Sequence, residues 1–251
     1  MKKYKTENPI KSSKNLNGQT LIVNRRPKQF LLASIMLMLS VTLYAQKDVT
    51  QFLGIPVDGN KSEMIQKLKD KGFTIDPHKN DVLDGEFNGI DVQIFIVTNN
   101  NKVRRVAVMD ANPTSEANIK IRFNNLLQQF QNNKRYIFMP DSTIQKYSIP
   151  ENEDISYELL VNKKPYQAVF YQQTADYDSL TLKINSLNEK QKETPSDTYI
   201  NQLTTMTQNL MKELYNCFNK KVWVSMSERS GGYYITIFYD NIYNEANGEG
   251  L

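Results

Sequence analysis

Apolar and polar residues alternate with period two at several places along the chain. Residues 82–87 and 90–97 flank Asn88-Gly89. Asn-Gly supplies the two positive φ angles that a type I′ turn requires, so these segments predict a β-hairpin. Ile90, Val92, Ile94 and Ile96 form one parity of its second strand. Phe95 and Val97 make the other parity apolar as well, which predicts cover on both faces near the strand's end. After Asn99-Asn100-Asn101, the valines at 103, 106 and 108 predict a third strand. Phe73 and Ile75 read as a short strand before the hairpin.

The period changes to 3.6 in three other segments. Residues 61–71 carry Met64, Ile65 and Leu68, with Asn60 and Glu63 spaced as a capping box and Gly72 at the C-cap. Residues 115–132 carry Phe123, Leu126, Leu127 and Phe130 at i, i+3, i+4, i+7. Residues 197–219 carry Tyr199, Leu203, Met206, Leu210, Leu214 and Phe218. Residues 136–139 predict a strand. Residues 155–161 and 166–171 flank Asn162-Lys163-Lys164-Pro165 and predict a second hairpin. Residues 222–227 and 233–239, joined by Ser230-Gly231-Gly232, predict a third. Residues 176–193 fit either period, because Leu180, Ile184 and Leu187 suit a helix while Leu180, Leu182 and Ile184 suit a strand.

Helices interleaved with antiparallel hairpins predict an α+β fold, with helices packed on a mainly antiparallel sheet. The order is helix then meander, twice, which admits a diverged duplication. The predicted divisions are a leader over 1–45, an α+β unit over 46–175, and a C-terminal helix and hairpin over 176–251 on the same domain. The tail beyond Tyr243 is polar and Gly-containing, and is expected to be mobile.

The leader changes the reading of charge. Phe30 to Ala45 is an uninterrupted apolar run behind Arg25, Arg26 and Lys28. A basic segment, a short apolar run and a small terminal residue are the parts of a secretory signal. The run is shorter than the roughly 20 residues that span a bilayer. Cleavage after Ala45 would leave Gln46 first; an uncleaved anchor is the alternative. The whole chain is +4 with 31 basic and 27 acidic residues, but residues 1–45 hold eight of the basic residues and one acid. The remainder has 23 and 26, a net of −3. A mildly acidic protein has no electrostatic attraction to nucleic acid. Cys217 is the only cysteine, so no intrachain disulfide staples the fold.

Candidate chemistry is sparse. His78 is the only histidine, which excludes a His-based zinc site. Asp81, Asp84, Glu86 and Asp91 cluster around the first hairpin. Two such acids in one pocket would suit a carboxylate-dependent hydrolase; acids on alternate positions equally decorate a solvated face. No phosphate loop, nucleophile elbow or HExxH motif occurs, so no catalytic, cofactor or metal residue is assigned. Fourteen tyrosines stand against one tryptophan. Tyr233, Tyr234, Tyr239 and Tyr243 fall together near the C-terminus and are the candidate binding surface, since tyrosine gives contact area at low entropy cost.

The stretches FLGIPVDGNKSEMIQKLKDKGF (52–73), LDGEFNGIDVQIFIV (83–97) and the ending YYITIFYDNIYNEANGEGL, with a leader closing on Ala-Gln, resemble uncharacterised exported proteins of Gram-negative gut anaerobes. More loosely, the helix-then-meander units look like small envelope modules of the beta-lactamase-inhibitor-like type. The resemblance implies export to the periplasm or cell surface. It carries no known activity. The chain is read as a noncatalytic module whose partner is an envelope protein or another copy of itself, with a carboxylate-dependent envelope hydrolase as the alternative, and membrane contact only through an uncleaved leader.

Overall fold

A computed structural model of the chain describes residues 48–138, 144–246 and 248. The predicted leader over 1–45 lies outside them. So do Met139, at the end of the predicted strand over 136–139, and part of the C-terminal tail. Asp48–Leu251 form one compact unit.

The chain enters through a tight ribbon, β1 (Gln51–Phe52) and β2 (Ile55–Pro56). Helix α1 (Lys61–Lys69) follows, then β3 (Thr74–Ile75), β4 (Val82–Phe87), β5 (Ile90–Asn99) and β6 (Lys102–Asp110). The second part opens with α2 (Glu116–Asn132) and β7 (Tyr136–Ile137). Two short helices, α3 (Ile144–Tyr147) and α4 (Ile155–Leu160), precede β8 (Gln167–Gln172). Two long helices, α5 (Ala175–Glu193) and α6 (Asp197–Phe218), precede β9 (Lys221–Arg229) and β10 (Gly232–Asp240). A single 3-10 turn, Ile242–Asn244, closes the fold.

The predicted α+β class is the observed one. Strands β3 to β10 make one antiparallel sheet in the order β3-β4-β5-β6-β10-β9-β8-β7. That order is two four-stranded halves, each running from edge to centre, meeting at β6 and β10. Each half begins with a helix, then a two-residue edge strand, then three longer strands. The halves therefore share a topology, and they differ in their connections. Between β4 and β5 lies only Asn88-Gly89, in the predicted left-handed pair with φ of 54° and 74°. Between β8 and β9 lie residues 173–220 and both long helices.

One face of the sheet carries the core. Leu83, Ile94, Val108, Ile237, Val224 and Ala168 stand in register across six strands, and Ile96, Val106, Tyr239, Val222 and Phe170 form the next row. All are buried. Helix α1 adds Met64 and Leu68; α2 adds Ile119, Phe123, Leu126, Leu127 and Phe130. Phe130 stacks on Phe170 at 4.3 Å, and Phe52 of the entering ribbon lies 4.9 Å from the Tyr239 ring. Asn60 caps α1 by accepting the Glu63 N–H at 2.9 Å, as the capping box predicts. Gly85 is needed where it stands, because a Cβ there would meet the Phe73 ring at 2.4 Å.

One expectation is corrected, one open alternative is resolved, and the expected mobile tail is shortened. Residues 155–160 are helix rather than strand, so β8 pairs with β9 and not with them. The cause is local capping: Asp154 accepts the Tyr157 N–H at 2.8 Å, and Glu116 of α2 accepts the Ile155 N–H. The ambiguous segment over 176–193 is helix, capped by Thr174, whose Oγ1 accepts the Tyr177 N–H. The tail expected to be mobile beyond Tyr243 begins with a residue that is held, Asn244, and Asn241 anchors the turn before it. Asn241 donates to the Val57 carbonyl at 2.8 Å, and Asn244 donates to Asp58 and to the Val103 carbonyl.

Candidate functional site

The opposite face of the sheet is unusual for a face that carries no core. Val82, Phe95, Ala107, Phe238, Trp223 and Val169 stand in register across six strands as a continuous apolar row. An antiparallel sheet with one solvated face normally shows polar residues there. Here Val82 and Ala107 are buried, and Phe95, Val169, Trp223 and Phe238 are half-buried and take no part in the core cluster. Helices α1 and α2 put their buried residues into the core on the other side, and α6 reaches this side only at the edge, where Phe218 meets Tyr171 at 5.0 Å.

The centre of the row is held rigidly. Trp223 and Phe238 stack at 3.9 Å and 17°. Arg105 lies over both rings, 5.3 and 5.0 Å from their centroids. Its guanidinium makes a two-pronged contact with Asp240, Nε to Oδ1 at 2.5 Å and Nη2 to Oδ2 at 2.9 Å. Trp223 Nε1 donates to the same carboxylate at 2.8 Å. Asp240 is buried and Arg105 is mostly so. One carboxylate thus fixes both the ring and the cation that covers it, which presets the surface before anything binds.

Polar rows border the apolar one. Asp84, Gln93, Met109, Thr236, Ser225 and Gln167 run along one side in register, all polar except Met109. Arg105, Asp240, Lys221 and Tyr171 lie on the other, with the Lys221 Nζ 5.5 Å from the Trp223 ring. An apolar centre with a polar rim is the anatomy of a protein interface, and Trp and Arg are enriched at its hot spots.

The tyrosines predicted as a surface divide. Tyr233 and Tyr239 are 4% and 3% exposed and belong to the core. The reason is strand phase: β10 turns its odd-numbered residues inward, opposite Val224 and Met226 of β9. Burial, with Tyr136 alongside, holds the Tyr239 hydroxyl well above its usual range. Tyr233 bonds Ser156 through its hydroxyl. Tyr234 is on the outer face and half-exposed. Tyr243 is exposed in the closing turn, where its hydroxyl accepts from Asn219 at 3.0 Å.

Of the four acids of the first hairpin, Glu86 and Asp91 share one cavity, while Asp81 and Asp84 lie outside it. Asp81 pairs with Lys61 at 2.9 Å on the surface. Asp84 accepts from Gln93 at 3.2 Å. Glu86 and Asp91 face each other across the strands and line a cavity of about 660 Å³ between the hairpin tip and α2. Amides form part of its wall, among them Asn112, Asn118, Asn125 and Gln129, beside apolar residues such as Ile121 and Leu126. At its base Asp110 binds Arg122 at 2.5 Å and accepts the Ile235 N–H at 2.9 Å. Burial pushes the Asp110 carboxyl up despite the opposing N–H and Arg122. Asp110 replaces the main-chain acceptor that Ile235 loses as β6 leaves the sheet, which is a structural duty.

His78 is exposed in the turn after β3, its N–H donating to Asp76. Cys217 is buried at the base of α6, toward the other edge of the sheet, where burial pushes its thiol up. Among the described residues no group of three His, Cys, Asp or Glu side chains is placed to hold a metal ion. No described helix is long and apolar enough to cross a membrane. No protein-family profile, curated protein or solved structure matches the chain.

Sequence reasoning missed Trp223, Phe238, Phe95 and Arg105. The available signal was apolar residues on both parities of β5 and β10; their alignment into one row depends on register across six strands.

Proposed function

We propose that this chain is an exported cell-envelope protein with a noncatalytic role, docking a protein partner on the outer face of its sheet. The carrying observation is the apolar row from Val82 to Val169, centred on the Trp223–Phe238 stack and rimmed by polar residues. Burying such a patch is favourable at roughly 25 cal/mol per Å² of apolar area. Its preset geometry lowers the ordering cost of binding. The basic and apolar leader over 1–45 supports delivery to the periplasm or cell surface, with Gln46 as the mature start. The mildly acidic remainder supports a protein partner over nucleic acid.

The test is photo-crosslinking in the producing cell, with a benzophenone amino acid at Phe95. A discrete adduct with another protein is expected, and it should vanish when Trp223→Ala is combined with it. A hot-spot tryptophan contributes about 2 kcal/mol or more, roughly a thirtyfold loss of affinity. An adduct pattern unchanged by Trp223→Ala would sink the reading.

A further inference from the structure

The α5–α6 insert carries a surface that neither the core nor the outer sheet face uses. No residue from 175 to 216 is fully buried. In α6, Tyr199, Leu203, Met206, Leu210 and Leu214 form the half-buried stripe that its partner helix α5 covers. One residue further round, about 100° away, runs a second stripe at i, i+4, i+7, i+11 and i+15. It consists of Ile200, Thr204, Thr207, Met211 and Tyr215, all exposed. Ile200, Met211 and Tyr215 are 50%, 55% and 69% exposed. A helix with one neighbour needs one apolar stripe; α6 carries two.

The α6 part of this surface is free of charge. No charged residue occurs between Asp197 and Lys212. By the same 100° steps, the matching flank of α5 presents Thr181, Asn185 and Asn188 along its middle, with Asp178 towards one end and the Glu189–Lys192 ion pair, 2.7 Å, towards the other. In a chain that is 23% charged, the α6 stretch shows a marked depletion of the kind seen at interface centres.

The stripe is also nearly self-complementary. Reversed about a point between Thr207 and Gln208, it sets Ile200 against Tyr215 and Thr204 against Met211. A two-fold contact between identical chains requires that property, and the uncharged α6 stripe does not repel its own copy. We propose that two copies of this chain pair through this face, α6 antiparallel to α6, forming a four-helix bundle from two hairpins. With 22 residues, α6 is about 33 Å long, and two helices abreast are about 20 Å wide. The pairing then covers about 650 Å² per copy, or about 1,300 Å² in all, within the range of specific interfaces. This surface is separate from the outer sheet face, so either proposal stands without the other.

Sedimentation equilibrium of the full chain, up to about 100 µM, gives the first readout. The expected result is a concentration-dependent rise to twice the monomer mass, with dimerisation at least tenfold weaker in Met211→Glu. Gln208→Cys, near the two-fold axis, should join two copies by a disulfide on oxidation with diamide, which takes up the two electrons and two protons released by the thiols. Lys183→Cys, on the other flank of α5, should not. If circular dichroism shows Met211→Glu unfolded, the Gln208→Cys result decides. A monomer throughout the range, equal dimerisation by a folded Met211→Glu, or no bond from Gln208→Cys would overturn the proposal.

Discussion

The two halves of the sheet are built alike and elaborated differently. The first runs helix, edge strand and three long strands with minimal turns. At the β4–β5 connection it spends only Asn88-Gly89. The second keeps the same path but places α3 and α4 before β8, and α5 and α6 before β9. The short turn shows that the sheet does not need an insert at the equivalent point. Long insertions in connections cost little stability and commonly carry function. The first half thus shows what the fold requires, and the second shows what has been added to it.

The largest effect that sharpens this comparison lies at the seam. Asp240 on β10 holds Arg105 on β6 and Trp223 on β9, joining the halves. Asp240→Ala leaves Arg105 without its partner at a mostly buried site. A loss of about 3–5 kcal/mol is expected in urea unfolding. Phe52→Ala empties a fully buried site against Tyr239 and Phe87 and should cost about as much, roughly 3–5 kcal/mol.

Replacing residues 175–216 with a short Gly/Ser linker tests the insert directly. No residue in that span is fully buried, so about 2 kcal/mol or less should be lost while the helical dichroism falls and the sheet persists. Global unfolding would mean the insert is part of the fold and would break the comparison. Met211→Glu should be smaller still, within about 0.5 kcal/mol for the monomer, because its site is exposed.

The smallest effect concerns α4, the other addition. Burial pushes the Glu116 carboxyl up, but the Ile155 N–H, Lys120 and Ser156 outweigh it and leave it low. Glu153 is likewise raised by burial and lowered more by Lys164 and Tyr166. A depressed folded value means the stabilisation is complete above the ordinary glutamate range and is lost as pH falls through the folded values. The hydrogen-exchange protection factors of Ile155–Leu160, referred to the intrinsic rate at each pH, should therefore fall on acidification below that range. Glu116→Gln should flatten the dependence.

The sequence made the local elements of the first half readable, because Asn88-Gly89 and the Asn60–Glu63 cap are short-range signals. The stripe from Tyr199 to Phe218 was equally plain. What escaped depends on partners distant in sequence. Residues 155–161 alternate like a strand, yet Asp154 and Glu116 hold them as helix. The inward phase of Tyr233 and Tyr239 is set by β9, and the row through Phe95, Phe238 and Trp223 appears only when six strands are in register. The second stripe on α6 was present in the residues but hidden beneath the stronger first one.

The most direct test of the interaction role is native mass spectrometry of the protein recovered from its own cell envelope. The expected result is a chain beginning at Gln46 with a further protein subunit bound, and loss of that subunit in Trp223→Ala. A lone chain, or one carrying only a small molecule, would contradict it.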